Sequence, residues 1–188
     1  MPRRLIVYED RHWRSLRPLT DLLPVPALAF GASDLARRWL AAARLPLFGV
    51  EARAGAMAGW HAPPALDTSP VAAGDEAVVV NAAALPGAWF AAACESRAPS
   101  LWLGDGRVAG ARLPLAQLRG GIGRGEDFET VLLGLGLPAL PVNAEFVTWP
   151  WELMARNTDA IAHDLAGVPG AVRGTLHKLV SLEQPERI

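Results

Sequence analysis

The stretch Leu5-Ile6-Val7-Tyr8-Glu9-Asp10 places four apolar residues directly before two acids. A short run that is apolar at every position is typical of a strand buried on both faces, as in the centre of a parallel sheet. A second stretch, Glu76-Ala77-Val78-Val79-Val80-Asn81, has the same pattern and also ends on a polar residue. The two stretches therefore predict central strands of one parallel sheet.

Helical patterns alternate with these strand patterns along the chain. They cover 33–44, 86–95, 126–135 and, as two short helices, 150–166. Ser33 is a suitable N-cap for the first helix, and a proline is well placed in the first turn of the second. The alternation predicts an α/β fold, with a mostly parallel, doubly wound, Rossmann-like sheet.

One antiparallel excursion is expected within this sheet. The apolar runs 100–103 and 108–113 flank Gly104-Asp105-Gly106-Arg107. An Asp-Gly pair between two such runs is a strong signal for a two-residue hairpin. Further short strands are predicted at 47–50 and 140–148, and an irregular surface excursion is predicted at 51–75.

Composition argues against several classes of function. Eighteen basic and nineteen acidic residues give a formal charge of −1, without the clustered positive excess that nucleic-acid binding needs. Cys94 is the single cysteine, which excludes an intramolecular disulfide and a multi-cysteine zinc site. No apolar run reaches the length of a membrane span, and the run at 5–8 is too short for an export signal. We therefore expect a cytoplasmic protein that binds neither nucleic acid nor membranes.

The ends of the two central strands are the first candidates for a functional site. In doubly wound sheets, ligands bind outside the carboxyl ends of the strands. Asp10 follows the first strand and Asn81 ends the second. Each also has a structural interpretation, because Asp10 can cap the following turn and Asn81 can form one.

Three arginines follow Asp10 at regular spacing. Arg11, Arg14 and Arg17 recur every three residues, which places them on one face of a helical turn. Guanidinium groups bind phosphates bidentately, so this face is a candidate anion site. A basic face that is simply solvated explains the same spacing equally well.

Two motifs resemble the sugar-phosphate nucleotidyltransferases. Pro18-Leu19-Thr20 stands where that family has Pro-Leu-Thr, and Pro24-Val25-Pro26 follows at the distance of its Pro-Lys-Pro-like element. Near the other end, Trp149-Pro150-Trp151-Glu152-Leu153-Met154, with Asn157 and Asp164, resembles a divergent bacterial branch of the family. That branch is related to the bifunctional N-acetylglucosamine-1-phosphate uridylyltransferase/acetyltransferase. The resemblance spans nearly the whole chain, although only the two ends carry distinctive motifs.

This resemblance implies a transferase that converts a sugar 1-phosphate and a nucleoside triphosphate into a nucleotide-sugar and pyrophosphate, assisted by Mg²⁺. It implies a nucleotidyltransferase-like domain at 1–166 and a linker at 167–188. The linker would lead to a C-terminal left-handed β-helix acyltransferase, through which the protein could form a homo-oligomer. Under this hypothesis Asp10 is the candidate metal ligand, and the candidates for phosphate or nucleotide binding are Arg11, Arg14, Arg17, Thr20 and Asn81.

Several positions depart from the family pattern. The family's phosphate-binding arginine falls on Ser15, its lysine falls on Val25, and the Gly-Asp pair whose aspartate holds Mg²⁺ falls on Ala82-Ala83. The segment 9–15 also lacks the glycines that let backbone N–H groups approach a triphosphate. Transfer between two anions needs cations at the reacting phosphates. The alternative hypothesis is therefore a non-catalytic module that binds a nucleotide-sugar or has a structural role.

Other polar and aromatic residues have structural interpretations. Asn157 precedes apolar residues at helical spacing and is a good N-cap. Trp149 and Trp151 are predicted to pin the last helices to the sheet, although one of them could stack on a base or a sugar ring. The glycine-rich run 120–125 resembles a dinucleotide loop only loosely, since no buried strand precedes it, and we expect a flexible surface loop.

Overall fold

The computed structural model describes residues 2–96, 98–118, 120–166 and 168. Its strands are β1 (Arg3–Tyr8), β2 (Ala29–Phe30), β3 (Ser33–Asp34), β4 (Leu47–Glu51), β5 (Glu76–Asn81), β6 (Ser100–Gly104), β7 (Arg107–Pro114) and β8 (Ala139–Pro141). Its α-helices are α1 (Leu35–Ala43), α2 (Ala54–Met57), α3 (Ala88–Glu95), α4 (Phe128–Gly134) and α5 (Pro150–Leu165). Short 3-10 helices cover Arg11–Leu16, Val25–Ala27, Leu115–Leu118 and Gly125–Asp127.

The main sheet has the strand order β4-β1-β5-β7-β6-β8. Strand β1 is parallel to β4 and to β5, whereas β7 runs antiparallel between β5 and β6. Strand β8 is parallel to β6 at the far edge. Five of the six strands therefore point in one direction, which confirms the mostly parallel α/β sheet predicted from the alternating pattern.

Both faces of the sheet are buried. Leu5 and Val7 of β1 face the cluster that contains α1, α3 and α5, and Ile6 and Tyr8 face the cluster that contains α4. None of these four side chains is more than 1% exposed. Full burial of a large apolar side chain contributes about 1.5–3 kcal/mol, which explains why positions 5–8 of this strand are all apolar.

An aromatic cluster lies under the sheet on the side of α1 and α3. Trp39, Trp89, Phe90 and Trp102 meet edge to face, with ring centroids 5.0–6.3 Å apart. Each such pair contributes about 0.5–1.5 kcal/mol beyond its buried area. The indole of Trp39 also donates to the carbonyl oxygen of Asn81 at 3.1 Å, so the cluster fixes α1 beneath the end of β5.

The hairpin between β6 and β7 is confirmed. Asp105 and Gly106 form its two-residue turn with φ of +49° and +74°, the positive values that a type I′ turn requires. Gly110 lets β7 approach β5 closely, since a Cβ there would lie 2.4 Å from the carbonyl oxygen of Val79. The hairpin therefore needs glycine at a turn position and at a packing position, for different reasons.

The start of α1 differs from the prediction. Asp34, not Ser33, is the N-cap, and its carboxylate accepts from the backbone N–H of Arg37 at 2.7 Å. Ser33 lies instead in β3, paired with Phe30. The prediction of Ser33 was wrong because the β2–β3 ribbon uses this residue before the helix begins.

The C-terminal part also differs from the prediction. The two short helices predicted at 150–166 are one continuous helix, α5, so Asn157 lies inside it and is not an N-cap. The strand predicted at 140–148 is reduced to β8 and to an isolated bridge between Phe146 and Ala84. Apart from Val168, the predicted linker at 167–188 lies outside the described residues. Among the helices of the described part, none combines the length and the apolar character needed to cross a bilayer.

Candidate functional site

The carboxyl ends of three parallel strands meet at one edge of the sheet. Beyond the strands, the N–H of Glu9 donates to the carbonyl of Glu51 at 2.8 Å, and the N–H of Ala82 donates to the carbonyl of Tyr8 at 2.7 Å. The segment that leaves β1 therefore begins at the edge where doubly wound sheets bind ligands.

Asp10 is buried at this edge and fully bonded. Its side chain is 1% exposed. One carboxylate oxygen accepts from the backbone N–H of His12 at 3.0 Å, which makes Asp10 the N-cap of the following 3-10 helix. The other oxygen accepts from Asn81 Nδ2 at 2.8 Å and from Arg107 Nη2 at 2.7 Å. Asp10 therefore has a structural role as a cap and as one member of a buried ion pair.

Asn81 joins Asp10 to the next strand. Its amide nitrogen also donates to the carbonyl of Val108 at 3.1 Å, and its amide oxygen accepts from the N–H of Ala83 at 2.9 Å. The residue is completely buried. The structure brings Asp10 and Asn81 together as the topology predicts, but protein groups already bond both functional ends of the amide.

Arg107 completes this group, although sequence reasoning missed it. It begins β7, and its Nη1 donates to Thr148 Oγ1 at 3.1 Å while the guanidinium lies 4.2 Å from the ring centre of Phe146. The predicted hairpin could have indicated Arg107, because an antiparallel strand inserted among parallel strands begins at their carboxyl edge. Arg107 supplies the cation that neutralises Asp10.

Glu9 forms a second buried ion pair. Its side chain is fully buried, with Arg53 Nη1 2.8 Å from one oxygen, and the N–H of Val25 donates to the same oxygen at 2.7 Å. Burial raises the pKa of Glu9, and the contacts with Val25 and Arg53 offset part of this rise. Val25 stands where the family has lysine, so its backbone is used here although its side chain is apolar.

Arg53 also holds the loop that follows β1. Its guanidinium donates to the carbonyl oxygens of Thr20 and of Leu23, the latter at 2.7 Å, and lies 3.9 Å from the ring centre of Trp13. The hydroxyl of Thr20 is turned inward and donates to the carbonyl of Trp13 at 2.9 Å. The candidate nucleotide-binding residue Thr20 is thus completely buried and serves to close the loop.

The three candidate arginines lie on the outer side of the same loop. Arg11 and Arg17 have 63% of their side chains exposed, and Arg14 is exposed as well. Arg11 and Arg14 belong to a 3-10 helix, in which residues three apart lie above one another. Arg17 Nε lies 2.5 Å from Asp21 at the surface, and Arg11 Nε lies 3.7 Å from the buried Glu129. The structure therefore places the arginines at the surface, separate from the buried Asp10, Thr20 and Asn81.

Glu129 adds a second acid near Asp10. It is 7% exposed, and its pKa is raised by burial and then by the negative charge of Asp10. Burial also raises the pKa of Tyr8 well above its usual value, and the Tyr8 hydroxyl donates to the carbonyl of Val108 at 2.6 Å. The protein thus concentrates negative charge here and offsets it with Arg107 and Arg11.

These residues do not fit a Mg²⁺ ion. Hard cations need several free oxygen ligands, whereas both oxygens of Asp10 accept from protein N–H groups. Within residues 2–96, 98–118, 120–166 and 168, no three His, Cys, Asp or Glu side chains converge as a metal site would require. Arg107 already supplies the positive charge that a metal ion would bring to Asp10.

Backbone N–H groups of the glycine-rich run at 120–125 bind the carboxylate of Glu51. The carboxylate of Glu51 accepts from the N–H of Gly123 at 2.9 and 3.0 Å and from the N–H of Gly125 at 3.1 Å. Both glycines have positive φ, +85° and +57°, which turns successive N–H groups toward one point. The part of this run around Gly123 and Gly125 is therefore anchored to the end of β4, which is a difference from the flexible loop that we expected.

A cleft of about 830 Å³ opens between the segment after β5 and the segment after β8. Trp89, Leu140 and Val142 are among its apolar walls, and Glu145 and Asn143 are its polar members. None of its lining residues is basic. The cleft lies at the carboxyl side of the sheet, but its lining does not complement a phosphate.

The tryptophans of the C-terminal block do not pin α5 to the sheet. Trp149 and Trp151 stack on each other, with ring centroids 5.1 Å apart and planes 5° apart, and are 44% and 60% exposed. The start of α5 is fixed instead by Glu152, whose carboxylate accepts from the N–H groups of Thr148 and Trp149 at 2.6 and 3.0 Å. Leu153 of α5 packs into the core. The prediction was wrong because capping and Leu153 already attach the helix.

Asn157 and Asp164 attach α5 to the β2–β3 ribbon. Asn157 Oδ1 accepts from the N–H of Gly31 at 2.8 Å, and Asp164 Oδ2 accepts from the N–H of Ala32 at 2.9 Å. Asp164 also pairs with Arg38 at 2.5 Å. These two residues of the C-terminal block therefore have a structural role.

Comparison with known proteins agrees with this fold. A family model described as sugar nucleotidyl transferase matches residues 5–169. No curated protein sequence matches the chain significantly. A crystal structure from Bacillus anthracis, described as a glucose-1-phosphate thymidylyltransferase in complex with sucrose, is similar at a TM-score of 0.51. It shares 12% sequence identity, over 86% of this chain and 96% of that chain, so the similarity shows the fold alone.

Proposed function

Because the chain belongs to the sugar nucleotidyl transferase family, we propose that it is a non-catalytic member of that family, which contacts a phosphorylated ligand through its surface arginines without a metal. The observation that carries this proposal is that Asp10 is buried at the carboxyl edge and that both of its carboxylate oxygens accept hydrogen bonds from protein groups.

The charge distribution supports the absence of catalysis. Nucleotidyl transfer brings two anions together, and the transition state needs a metal or fixed cations at the phosphates. Here two arginines near the strand ends, Arg107 and Arg53, are paired with buried acids. The cleft between the segment after β5 and the segment after β8 has no basic lining residue. The chain thus uses its internal cations to stabilise its own loop.

The exposed arginines support contact with a phosphorylated ligand. Arg11 and Arg14 lie on one side of the 3-10 helix at the carboxyl edge, and Arg17 follows as its exposed C-cap. Charge-assisted contacts at an exposed surface are weak and are screened by salt. We therefore propose weak, salt-sensitive binding of a nucleoside triphosphate or a nucleotide-sugar.

Calorimetric titration and a pyrophosphate-release assay test this proposal together. Titration with UTP and with a UDP-sugar is expected to give weak binding that is unchanged by Mg²⁺, falls with salt and is lost in the R11A/R14A/R17A variant. Pyrophosphate release from UTP and sugar 1-phosphates is expected to remain at the level without protein. Release that requires Mg²⁺ and disappears in D10N would refute the non-catalytic assignment.

An active transferase is the second candidate. The observation in its favour is that Asn81 and Arg107, from adjacent strands, both donate to Asp10, at 2.8 and 2.7 Å. Activity would require Arg107 to leave Asp10 and turn to a substrate phosphate. In that case R107A would abolish turnover, whereas the non-catalytic proposal predicts only a loss of stability.

The proposed context of the domain follows from the resemblance. Its C-terminal block resembles the branch related to the uridylyltransferase/acetyltransferase, and this supports a cytoplasmic module that precedes a β-helix acyltransferase and oligomerises through it. A reading frame that continues past Ile188 into hexapeptide repeats is the expected result. A frame that ends at Ile188, or continues into another type of domain, would contradict it.

A further inference from the structure

Helix α5 has an apolar stripe that faces solvent. Its exposed positions Trp151, Met154, Thr158, Ile161 and Leu165 are separated by three, four, three and four residues. This is the a/d spacing of helices that pair with another helix. The side chains of α5 that are buried against the domain, Leu153 and Ala160, lie on a different face of the helix. We call the five exposed positions the α5 seam.

The composition of the α5 seam is that of an interface core. Trp and Met are enriched at such cores, and charged residues are depleted there. The seam contains no Asp, Glu, Lys or Arg. Two small exposed residues, Ala155 and Ala162, flank it on one side and leave room for a second backbone to approach. The charged residues of α5 lie on other sides of the helix.

The exposed area is close to what a dimer needs. Trp151 is 60% exposed, Met154 78%, Leu165 52% and Ile161 37%, and Trp149 beside them is 44% exposed. With about 150–250 Å² for a large side chain, the four large apolar residues of the seam present roughly 450 Å², and Trp149, which lies outside the seam, adds roughly 90 Å². The largest apolar patch of a monomer measures about 300–600 Å². Each partner of a standard interface buries about 800 Å², so pairing of the two seams supplies most of one interface.

We propose that the α5 seam binds the α5 seam of a second copy of this chain, forming a two-fold dimer with antiparallel helices. In this arrangement Met154 of one copy packs opposite Leu165 of the other, and Thr158 packs opposite Ile161. Each layer then pairs an a position of one helix with a d position of the other. In the central layers, the smaller Thr158 packs against the larger Ile161, which helix packing favours. The proposal is independent of the proposed function, because the seam shares no residue with the buried ion pairs.

Sedimentation equilibrium of the 188-residue chain measures the association directly. The expected mass is twice the 20.0 kDa of one chain, decreasing on dilution. L165E is expected to give a single-chain mass. L66E is the matched control, because Leu66 is also 52% exposed but lies outside the seam, and it should leave the dimer intact. Circular dichroism verifies that both variants are folded.

The orientation is tested with cysteines in a C94S background. A mixture of M154C and L165C chains is expected to form a mixed disulfide on oxidation, in excess of the disulfide that either variant forms alone. A wild-type chain that stays monomeric at high concentration overturns the proposal, whatever else covers the seam. A dimer that survives both L165E and M154E also overturns it, because the interface then lies elsewhere.

Discussion

Replacing Arg53 with Met removes one partner of a buried ion pair and keeps most of the side-chain packing. Glu9 has no exposed surface and Arg53 is 15% exposed, so the carboxylate left behind cannot gain water without opening the loop. Breaking a buried pair in this way costs about 3–5 kcal/mol. Because Arg53 is partly exposed, we expect about 3 kcal/mol, a large share of the roughly 5–15 kcal/mol that stabilises a typical domain.

The assay is urea unfolding at neutral pH, supported by thermal melting. A loss of about 3 kcal/mol lowers the Tm of a chain of this size by about 10 °C. Arg156 is the matched control, since it pairs with Glu145 at the surface, where the two side chains are 38% and 70% exposed. R156M should change the free energy of unfolding by less than about 1 kcal/mol.

The dependence on pH distinguishes a charge effect from a packing effect. Burial already raises the pKa of Glu9 above its usual 4.5, and loss of Arg53 raises it further. The folded R53M chain then binds a proton more tightly than the unfolded chain, so its deficit is smallest below pH 4.5 and grows as the pH rises through the folded pKa. E9Q/R53M should recover part of the loss at neutral pH. A deficit that is equal at pH 4.5 and pH 7, or one below about 1 kcal/mol, would refute this reasoning.

Three further perturbations follow from the structure. E129Q should stabilise the chain at neutral pH but not below pH 4.5. Burial and Asp10 raise the pKa of Glu129, so the ionised carboxylate destabilises the folded state. Urea unfolding at neutral pH and below pH 4.5 measures the difference. G110A should lower the free energy of unfolding by a few kcal/mol, because its Cβ would lie 2.4 Å from the carbonyl oxygen of Val79. Thermal melting should show this loss as a strongly lowered Tm. E51A should cost about 1.5–3 kcal/mol and speed amide exchange at Gly123, whereas E51Q, which keeps an acceptor, should cost less.

The sequence was informative where local rules and burial agree. The apolar run at 5–8 and its counterpart at 76–81 lie in β1 and β5, because a short continuous apolar run suits a strand with both faces covered. The Asp105-Gly106 pair gave the hairpin, since the turn type demands positive φ at both positions. These features depend on few residues, close in sequence, which is why they could be predicted.

The site was harder to predict because its contacts span long distances in sequence. Asp10 and Asn81 were expected to meet, since the ends of parallel strands share one edge. Arg107 reaches Asp10 across 97 residues, and Arg53 reaches Glu9 from the excursion that carries little periodicity. Which arginine pairs with which acid depends on strand register and loop path, and neither is encoded in a local pattern.

The Ser33 and Asn157 predictions fail for a related reason. Both residues have the chemistry of an N-cap, but Ser33 pairs with Phe30 in the β2–β3 ribbon, and Asn157 of the last helix accepts from Gly31 of that ribbon. Side-chain type alone does not decide between a cap within one element and a bond between two elements. Tertiary contacts make that choice.

The attachment of α5 has a consequence for how the domain opens. The only buried residues of α5 are Leu153 and Ala160, and its polar ties to Gly31 and Ala32 run through two side chains. A unit held by so little buried surface can separate while the sheet stays intact. Amide protons of α5 should therefore exchange with solvent well before those of β5, and the β2–β3 ribbon should lose its protection together with the helix.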